Sequence, residues 1–545
     1  MRESERSAAR PGRLLETQMM KSLLRACSRR AWFQAGAGAA AGKLAVLFPR
    51  SARAELPHRG TGPGVYERLG VEPFINCTST YTINGGSRQL PEVIAAVESA
   101  SHYHVNLDEL MAKAGARVAG LLGGEAAMVS SGAAGAVTCG AAACVAGGDP
   151  EKMQQLPDTA GMKNECVVPK WSRSYYDHAV RAVGVRMIEV ESLDGLERAL
   201  GPGTALAHGQ ANLLAPGNPF TLRQYAEACR RRNVPLLIDA AADLPLRPNP
   251  YLAAGADLVA YSGGKILRGP QTSGILLGRK DLVRAAYQVS SPHITFGRSI
   301  KVSKEEIVGL VAAVEALFTT RSRDAEDKEW ISWFEHIRSR IARVPGVTSK
   351  IVMPRDRSYY PTLWIDWDPA VIGFNNAELG RRLLAGKPRI MTHAEGEGRG
   401  FPLRPAAMYP GEHLLVAERL YEEFRNAPKP ARKPPPAPPV ENLTGRWDLD
   451  ITFVAGATRW RLYLDHDAAK LSGVYRSPVV REGVLEGSVS GGQVEIRSHG
   501  RHEGMEFHYV FTGVVSGGRM EGSVALGWED GSAPWVAQRV RDAAL

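Results

Sequence analysis

The chain has 545 residues, 44% of them hydrophobic and 23% charged, which is typical of globular proteins and excludes disorder throughout, a fibrous repeat and a protein with many membrane spans. No uninterrupted apolar run reaches the roughly 20 residues that cross a bilayer. The first 54 residues hold 11 Lys and Arg against three Glu, so most of the net charge of +10 lies there. The rest of the chain is nearly neutral, and no nucleic acid partner is expected.

Residues 1–54 are predicted to be an export signal. Arg29 and Arg30 are followed by a weakly apolar, Gly- and Ala-rich stretch to Phe48 and by small residues of the cleavage-site type at 52–54. This order resembles a twin-arginine signal, whose pathway carries folded proteins, and predicts a periplasmic protein. A start at Met19 or Met20 would retain every feature. The alternatives are an amphipathic helix with a chance Arg pair, or a cytosolic protein that keeps its leader.

Residues 55–426 have the pattern of an α/β body. Short apolar runs typical of buried strands recur along it: Ala126–Val129, Val234–Ile238, Leu258–Ala260 and Gly274–Leu277. They alternate with helical patterns such as Leu222–Arg232 and Glu305–Phe318. This predicts a large domain over residues 55–325, with a mostly parallel sheet between helices. From Trp330 the pattern changes and ends in a helix over His413–Phe424, which predicts a small α+β subdomain over residues 326–426.

Residues 427–440 are half proline and predict an extended linker. Residues 441–545 show short alternating runs between Gly-rich turns, which predict an antiparallel β-barrel or sandwich. This segment has no recognisable catalytic motif and is interpreted as a binding or packing module. The five cysteines beyond Cys27 lack the CxxC spacing of metal sites, so we expect no metal site and buried or free thiols, with at most an incidental disulfide.

A phosphate-binding loop is predicted at Ser130-Ser131-Gly132-Ala133, where an apolar strand ends and a helix of small residues begins. Backbone N–H groups at such a helix N-terminus bind anions. Ser262, at the end of a later strand, offers a further hydroxyl. The alternative is a loop that only allows close helix packing.

Two strand ends supply the remaining chemistry, since Asp239 ends one apolar strand and Lys265 follows the next in the run SGGK. Ligands of open α/β sheets lie at the carboxyl ends of strands. A lysine there can form a Schiff base with an aldehyde cofactor, and an aspartate 26 residues earlier suits a pyridinium nitrogen. Singly, Gly-Gly-Lys is often a solvated turn and a strand-end Asp a helix cap. Together with the phosphate loop, their order and spacing fit pyridoxal 5'-phosphate.

Several segments together resemble one family: Asn76 to Arg88, the SSGAAGA loop, YDHA from Tyr176, DAAAD, SGGKILRGPQTSG and GRSIKVSKEE from Gly297. This is the family of bacterial selenocysteine synthase (seryl-tRNA selenium transferase) and its relatives, including D-glucosaminate-6-phosphate ammonia-lyase. The likeness runs from about residue 64 to 425. It implies the fold type I architecture, an internal aldimine on Lys265 with Asp239 at the ring nitrogen, and a homodimer or higher homo-oligomer. A tRNA substrate is rejected, because the body is nearly neutral and export is predicted.

One position departs from the family pattern. Ammonia-lyase-like relatives often carry a histidine after the strand that ends near Pro169, and Ser172 stands in its place here. Trp171 or His178 is therefore expected to cover the cofactor ring. The alternative for His178 is an ordinary histidine on a helix surface.

Three arginines are predicted to bind an anionic substrate: Arg88, Arg298 and Arg404. Their planar side chains give two parallel hydrogen bonds to a carboxylate or phosphate. Arg268 and Lys301 are further basic residues nearby in sequence. For each, a surface salt bridge is the alternative, and Arg298 and Arg404 are favoured as ligands.

These residues predict an exported enzyme that acts on a small amine-bearing substrate, an amino acid or amino sugar acid. Lys265 would serve as the base, and α,β-elimination is favoured through the family likeness. An aminotransferase or a racemase on the same scaffold remains an alternative, since all three reactions share one carbanion. The alternative from another class is a non-catalytic binding protein that uses the C-terminal β-domain.

Overall fold

The computed structural model describes residues 64–354, 359–396, 398–430, 435–527 and 531–540. The predicted export signal and residues 431–434 of the predicted linker lie outside the described residues. Among the described helices, none is both long and apolar enough to span a membrane.

The large domain extends over residues 65–319 and contains eleven α-helices and the seven strands of one sheet. Its strands, together with β1, which precedes them, are β1 (Phe74–Asn76), β2 (Ala126–Ser131), β3 (Glu165–Pro169), β4 (Arg186–Val190), β5 (Thr204–Gln210), β6 (Leu236–Asp239), β7 (Leu258–Ser262) and β8 (Ser273–Gly278). Its helices are α1 (Val65–Arg68), α2 (Pro91–Ser101), α3 (Leu107–Leu122), α4 (Gly132–Ala146), α5 (Pro150–Gln155), α6 (His178–Arg181), α7 (Leu193–Ala199), α8 (Leu222–Arg231), α9 (Pro250–Ala254), α10 (Lys280–Val289) and α11 (Lys304–Thr319).

Seven of these strands form one sheet in the order β2-β8-β7-β6-β5-β3-β4. All run parallel except β8, which is antiparallel to both neighbours. Strands β7 and β8 are buried along their whole length, as expected for a sheet covered on both faces. The carboxyl ends of β2, β6 and β7 therefore meet at one edge, which brings Ser131, Asp239 and Ser262 to the same side of the domain.

The small domain has its own core. It consists of α12 (Arg323–Ile341), β9 (Val347–Val352), β10 (Thr362–Trp367), α13 (Asn376–Ala385), β11 (Arg389–Met391), β12 (Gly400–Leu403) and α14 (Glu412–Arg425). Strands β12, β10 and β9 form an antiparallel sheet. Strand β1 pairs in parallel with β11, and Ile75 and Cys77 are buried in this core. The N-terminal segment was predicted as part of the large domain, but these contacts attach it to the small one.

The C-terminal region is a closed antiparallel barrel. Its strands are β13 (Gly445–Phe453), β14 (Gly456–Asp467), β15 (Lys470–Arg476), β16 (Gly483–Ser490), β17 (Gln493–His502), β18 (Met505–Ser516), β19 (Arg519–Ala525) and β20 (Ser532–Arg539). Pairing of β13 with β20 closes it, so the barrel is formed and not the sandwich. Trp447 and Trp535 are buried in its interior.

Candidate active site

A cavity of about 1120 Å³ is lined by residues of both α/β domains. The large domain contributes Lys265, Asp243 and Tyr176, and the small domain contributes Arg404. The loop after β1, from Ser79 to Thr82, forms a further part of the wall. The cavity thus joins the predicted lysine to a predicted substrate-binding arginine.

Lys265 lies just beyond the end of β7 and is partly buried. Its Nζ is 5.6 Å from the centre of the Tyr176 ring. Burial lowers the pKa of Lys265, because an ammonium group loses hydration there, while the charges of Asp239 and Asp243 oppose this shift. The neutral amine that must attack an aldehyde is therefore easier to form than at an exposed lysine.

Asp239 ends β6, the strand next to β7. Its Oδ1 accepts a hydrogen bond of 2.9 Å from the backbone N–H of Ala241. Its charge reaches Lys265 and also Tyr176, whose pKa is raised by burial, by Tyr175 and by Asp239. Asp239 therefore lies within electrostatic reach of both Lys265 and Tyr176.

His208 was not predicted from the sequence but lies beside this aspartate, on the neighbouring strand β5. It is buried, and its Nδ1 is 3.1 Å from the carbonyl oxygen of Leu237, a contact that only an N–H can donate. Burial lowers the pKa of His208, although Asp177 and Asp239 oppose that shift. The contact with the Leu237 carbonyl therefore requires the proton to be on Nδ1.

The predicted phosphate loop lies at the same edge of the sheet. Across β7, β8 and β2, Ser262 is aligned with Gly274, and Gly274 with Ser130. Ser130 is fully buried, and its hydroxyl donates a 2.8 Å hydrogen bond to the carbonyl of Gly132. In this structure the hydroxyl therefore stabilises the loop itself.

The N-terminus of α4 retains the donors that an anion needs. Its first N–H groups, including that of Ala133, have no acceptor within the helix, and among the described residues the Ser131 side chain makes no capping hydrogen bond. Gly132 has φ +69°, and a Cβ placed there would meet nothing within 4 Å. Open space therefore lies before a 15-residue helix whose N-terminus carries a partial positive charge.

The predicted ring-covering residues are placed differently. The Trp171 ring packs edge-on against Phe220, 4.9 Å away, and contacts the large-domain core. His178 is exposed at the first turn of α6. Tyr176 approaches Lys265 instead, because the short 3₁₀ turn Tyr175–Asp177 directs it into the cavity. The run YDHA was already part of the resemblance, but its first residue was not proposed for this position.

The three predicted arginines lie in different places relative to the cavity. Arg404 lines the cavity, and its Nη1 lies 3.4 Å from the carbonyl of Thr78, to which it donates. Arg88 points to the small domain, where it donates to the Met408 carbonyl at 3.2 Å and lies over the Tyr409 ring. Arg298 is exposed, on the loop that precedes α11. Within one chain, Arg404 is thus the predicted arginine that reaches the cavity.

Two glycines, Gly86 and Gly264, allow the segments NGGSR and SGGK…GPQ to pack closely against each other. A Cβ on Gly86, which has φ +75°, would overlap the Gln271 side chain, and a Cβ on Gly264 would come within 2.6 Å of the Gln271 backbone. The backbone N–H of Ser87 donates to the carbonyl of Gly264 at 3.1 Å. Only glycine lets the segment NGGSR pack this closely against SGGK…GPQ, and this contact fixes the backbone that carries Lys265.

Two pairs of cavity residues were missed in the sequence. Ser79, with φ +89°, shares a short hydrogen bond with the hydroxyl of Tyr360, which lies across the cavity wall. Buried Tyr251 donates to the carboxylate of Asp243. Asp243 belongs to the recognised run DAAAD, whereas no local pattern distinguishes Tyr360.

The residues at this edge fit pyridoxal phosphate. They provide a partly buried lysine, an aspartate at the adjacent strand end, an aromatic ring facing the lysine and an open helix N-terminus for the phosphate. The donor set thus matches the aldehyde, the ring nitrogen, the ring face and the phosphate of this cofactor.

Comparison of the sequence with known proteins also identifies pyridoxal phosphate enzymes as relatives. The aminotransferase class-V family model matches residues 83–305. The chain is 28% identical to D-glucosaminate-6-phosphate ammonia lyase of Salmonella typhimurium over 67% of this chain and 99% of that protein. It is 31% identical to 5'-C-glycyluridine monooxygenase-decarboxylase of a Streptomyces species over 66% of this chain and 91% of the relative.

A more distant sequence relative and a solved structure support the same family assignment. An L-seryl-tRNA(Sec) selenium transferase of Moorella thermoacetica is 28% identical over 32% of this chain and 36% of its own length. A solved structure of D-glucosaminate-6-phosphate ammonia-lyase has a TM-score of 0.59 and 28% identity, and the match covers 67% of this chain and 99% of that chain. The predicted resemblance, fold and cofactor are confirmed. The chain belongs to the family of pyridoxal phosphate-dependent enzymes with the aminotransferase-like fold that includes these relatives.

Proposed function

We propose that this enzyme removes ammonia or a β-substituent from an amino acid or amino sugar acid. The observation that carries the proposal is the position of Lys265, which shares one cavity with Arg404, lies 5.6 Å from the centre of the Tyr176 ring and is within reach of the charge of Asp239. The relationship to an ammonia-lyase supports elimination, and the relationship to a monooxygenase-decarboxylase shows that relatives differ in the reaction they catalyse.

The residues of the chain have separate tasks in this reaction. When bound, pyridoxal phosphate supplies an electron sink for the negative charge that develops beside the substrate nitrogen. Arg404 binds the substrate carboxylate through its planar side chain. Lys265 Nζ accepts the proton from the α-carbon, a task suited to an amine whose pKa is lowered. Asp239 would keep a positive charge on the ring nitrogen, and the Tyr176 ring lies beside the lysine in the cavity.

Product analysis separates this reaction from its alternatives. The full chain, saturated with pyridoxal phosphate, is incubated with D-glucosaminate 6-phosphate and with β-hydroxy and β-chloro amino acids. Elimination releases equal amounts of ammonia and a 2-oxo acid without an amino acceptor. Transamination requires an added 2-oxo acid and releases no ammonia, while racemisation changes only the optical rotation. Either of the last two results would overturn the elimination proposal.

Substitution of Arg404 tests its role in carboxylate binding. We expect Arg404→Gln to raise KM by roughly 10- to 100-fold, since a charge-assisted pair of hydrogen bonds is lost, and Arg404→Lys to recover only part of the loss. The matched control is Arg381→Gln, because Arg381 is exposed on α13 and pairs with Glu378. An unchanged KM in Arg404→Gln would remove this residue from the binding site.

We also propose that the protein is exported through the twin-arginine route. The support is the sequence alone: Arg29-Arg30, the weakly apolar stretch and the small residues near 52–54. Fractionation of cells should find the protein in the periplasm, and Arg29→Lys with Arg30→Lys should retain it in the cytosol. Cytosolic protein in cells with an intact transporter would contradict this proposal.

A homodimer or higher homo-oligomer is proposed from exposed apolar side chains. Several cluster in sequence near the N-terminal segment, among them Ile83, which is 79% exposed, Ile94, Tyr103 and Val105, and Ile294 is 82% exposed. Apolar surface of this kind is usually covered by a partner. Exposed Arg298 would then be available to the site of the second copy. Sedimentation of the purified chain as a monomer would contradict the proposal.

A further inference from the structure

A hairpin tip of the barrel contacts the large domain. Residues Glu503 and Gly504 connect β17 to β18, and Gly504 lies against the backbone of Ser174. A Cβ on Gly504, which has φ +77°, would lie 2.5 Å from the Ser174 carbonyl oxygen, too close for any side chain. The backbones of the barrel and of the catalytic domain are therefore in direct contact here.

An arginine cluster fastens this contact. The side chain of Arg173, buried in the large domain, pairs with Asp177, with Glu189 at 2.5 Å and with Glu503 of the barrel at 2.5 Å. Burial alone would lower the pKa of Arg173, but its hydrogen bonds to Asp177 and Glu503 raise it. Arg181 lies 3.6 Å from the same Glu503 carboxylate. The barrel thus supplies one of the three anions that neutralise a buried cation.

The segment between Arg173 and Asp177 reaches the active site. Arg173 and Asp177 bracket Ser174, Tyr175 and Tyr176, and both tyrosines line the catalytic cavity. Tyr175 also lines a second cavity, of about 490 Å³, whose opposite wall is the barrel. Tyr176 is the ring beside Lys265. A shift of the hairpin would therefore be passed to the ring that faces the cofactor lysine.

We propose that Glu503 is a positioning residue of the active site: through Arg173, the barrel hairpin holds Tyr176 in place beside Lys265. This rests on the proposed function, because Tyr176 has this task only if the cofactor occupies the site. It gives the barrel a part in catalysis in place of the binding or packing role inferred from its sequence.

Two substitutions at the hairpin test the proposal without altering the cavity. Glu503→Gln removes the charge and keeps the size, and Gly504→Ala pushes the hairpin off Ser174 with no change of charge. For each full-length variant, titration with pyridoxal phosphate is followed by near-visible absorbance. We expect the dissociation constant to rise about tenfold in both, and thermal unfolding of each variant is recorded to establish that the chain remains folded. Glu506→Gln, an exposed change on the same hairpin, is the control and should bind like the wild type.

A double-mutant cycle separates positioning from simple stability. In a Tyr176→Ala background, Glu503→Gln should cause no further loss of cofactor affinity, because the residue it positions is gone. Wild-type affinity in both hairpin variants would overturn the inference. So would losses from Glu503→Gln and Tyr176→Ala that simply multiply. A wild-type protein that binds no pyridoxal phosphate would instead refute the proposed function, and this inference would fall with it.

Discussion

Lys265→Ala is expected to reduce turnover by at least roughly 10²- to 10⁴-fold, the contribution of a positioned base, and to abolish covalent attachment of the cofactor. The structure gives two reasons. Lys265 is the lysine of the cavity, close to the Tyr176 ring, and its pKa is lowered by burial. Pyridoxal phosphate should still bind, held at the N-terminus of α4, but sodium borohydride should no longer fix it to the protein.

The matched control is Lys280→Ala. Lys280 is exposed at the start of α10, just after antiparallel β8, and therefore at the edge of the sheet opposite the strand ends that form the site. This variant should turn over substrate and retain cofactor like the wild type. Normal turnover by Lys265→Ala would remove the lysine from the reaction and favour the binding-protein alternative.

Asp239→Asn is expected to lower turnover by roughly 10²-fold or more, with a smaller effect on KM. The carboxylate lies at the adjacent strand end, within electrostatic reach of the lysine, and its negative charge would maintain a proton on the ring nitrogen of the bound cofactor. The amide of the variant has the same size but no charge. The absorbance of the bound cofactor should therefore change along with turnover.

A structural effect can be separated from this electrostatic one. Asp239 also accepts the backbone N–H of Ala241, a hydrogen bond that the asparagine oxygen can still accept. Asp194→Asn, an exposed change on α7, is the control for loss of one negative charge. If Asp239→Asn kept wild-type turnover, the ring nitrogen would need a different partner.

The strands and helices of the large domain are well predicted because each is encoded locally. The run Leu258–Ala260 lies within β7, Gly274–Leu277 lies within β8, and Leu222–Arg232 exceeds α8 by one residue. Strand pairings far apart in sequence are different. The pairing of β1 with β11 joins residues more than 300 positions apart, and closure of the barrel depends on β13 and β20, which no local pattern specifies.

The predicted linker is another case where tertiary contacts decide. Seven prolines indicate an extended spacer, and the described part has no helix or strand. Its ends are nevertheless fixed, since Pro428 accepts a hydrogen bond from Gly373 and Val440 donates one to Gly491. Composition predicts the conformation of this segment but does not reveal its attachment points.

In the candidate site too, residues marked by a local sequence pattern are predictable, and contacts between distant residues are not. Lys265, Asp239 and the helix N-terminus at Ser131 are recognisable because strand ends and glycines mark them. Tyr176 lines the cavity beside Lys265, and the predicted Trp171 and His178 do not, because a single 3₁₀ turn decides which aromatic ring enters the cavity. The side chain of Arg88 turns away because Met408 and Tyr409 of the small domain attract it. Glu503 lies 330 residues from Arg173, so their contact exists only in the folded chain.

The most direct test of the account is the absorbance spectrum of the purified full chain before and after borohydride reduction, followed by peptide mapping. If Lys265 holds the cofactor, the spectrum should show a near-visible band that reduction removes, and mapping should find a single modified peptide, labelled at Lys265. A colourless protein that takes up no added pyridoxal phosphate, or a label on another lysine, would contradict it.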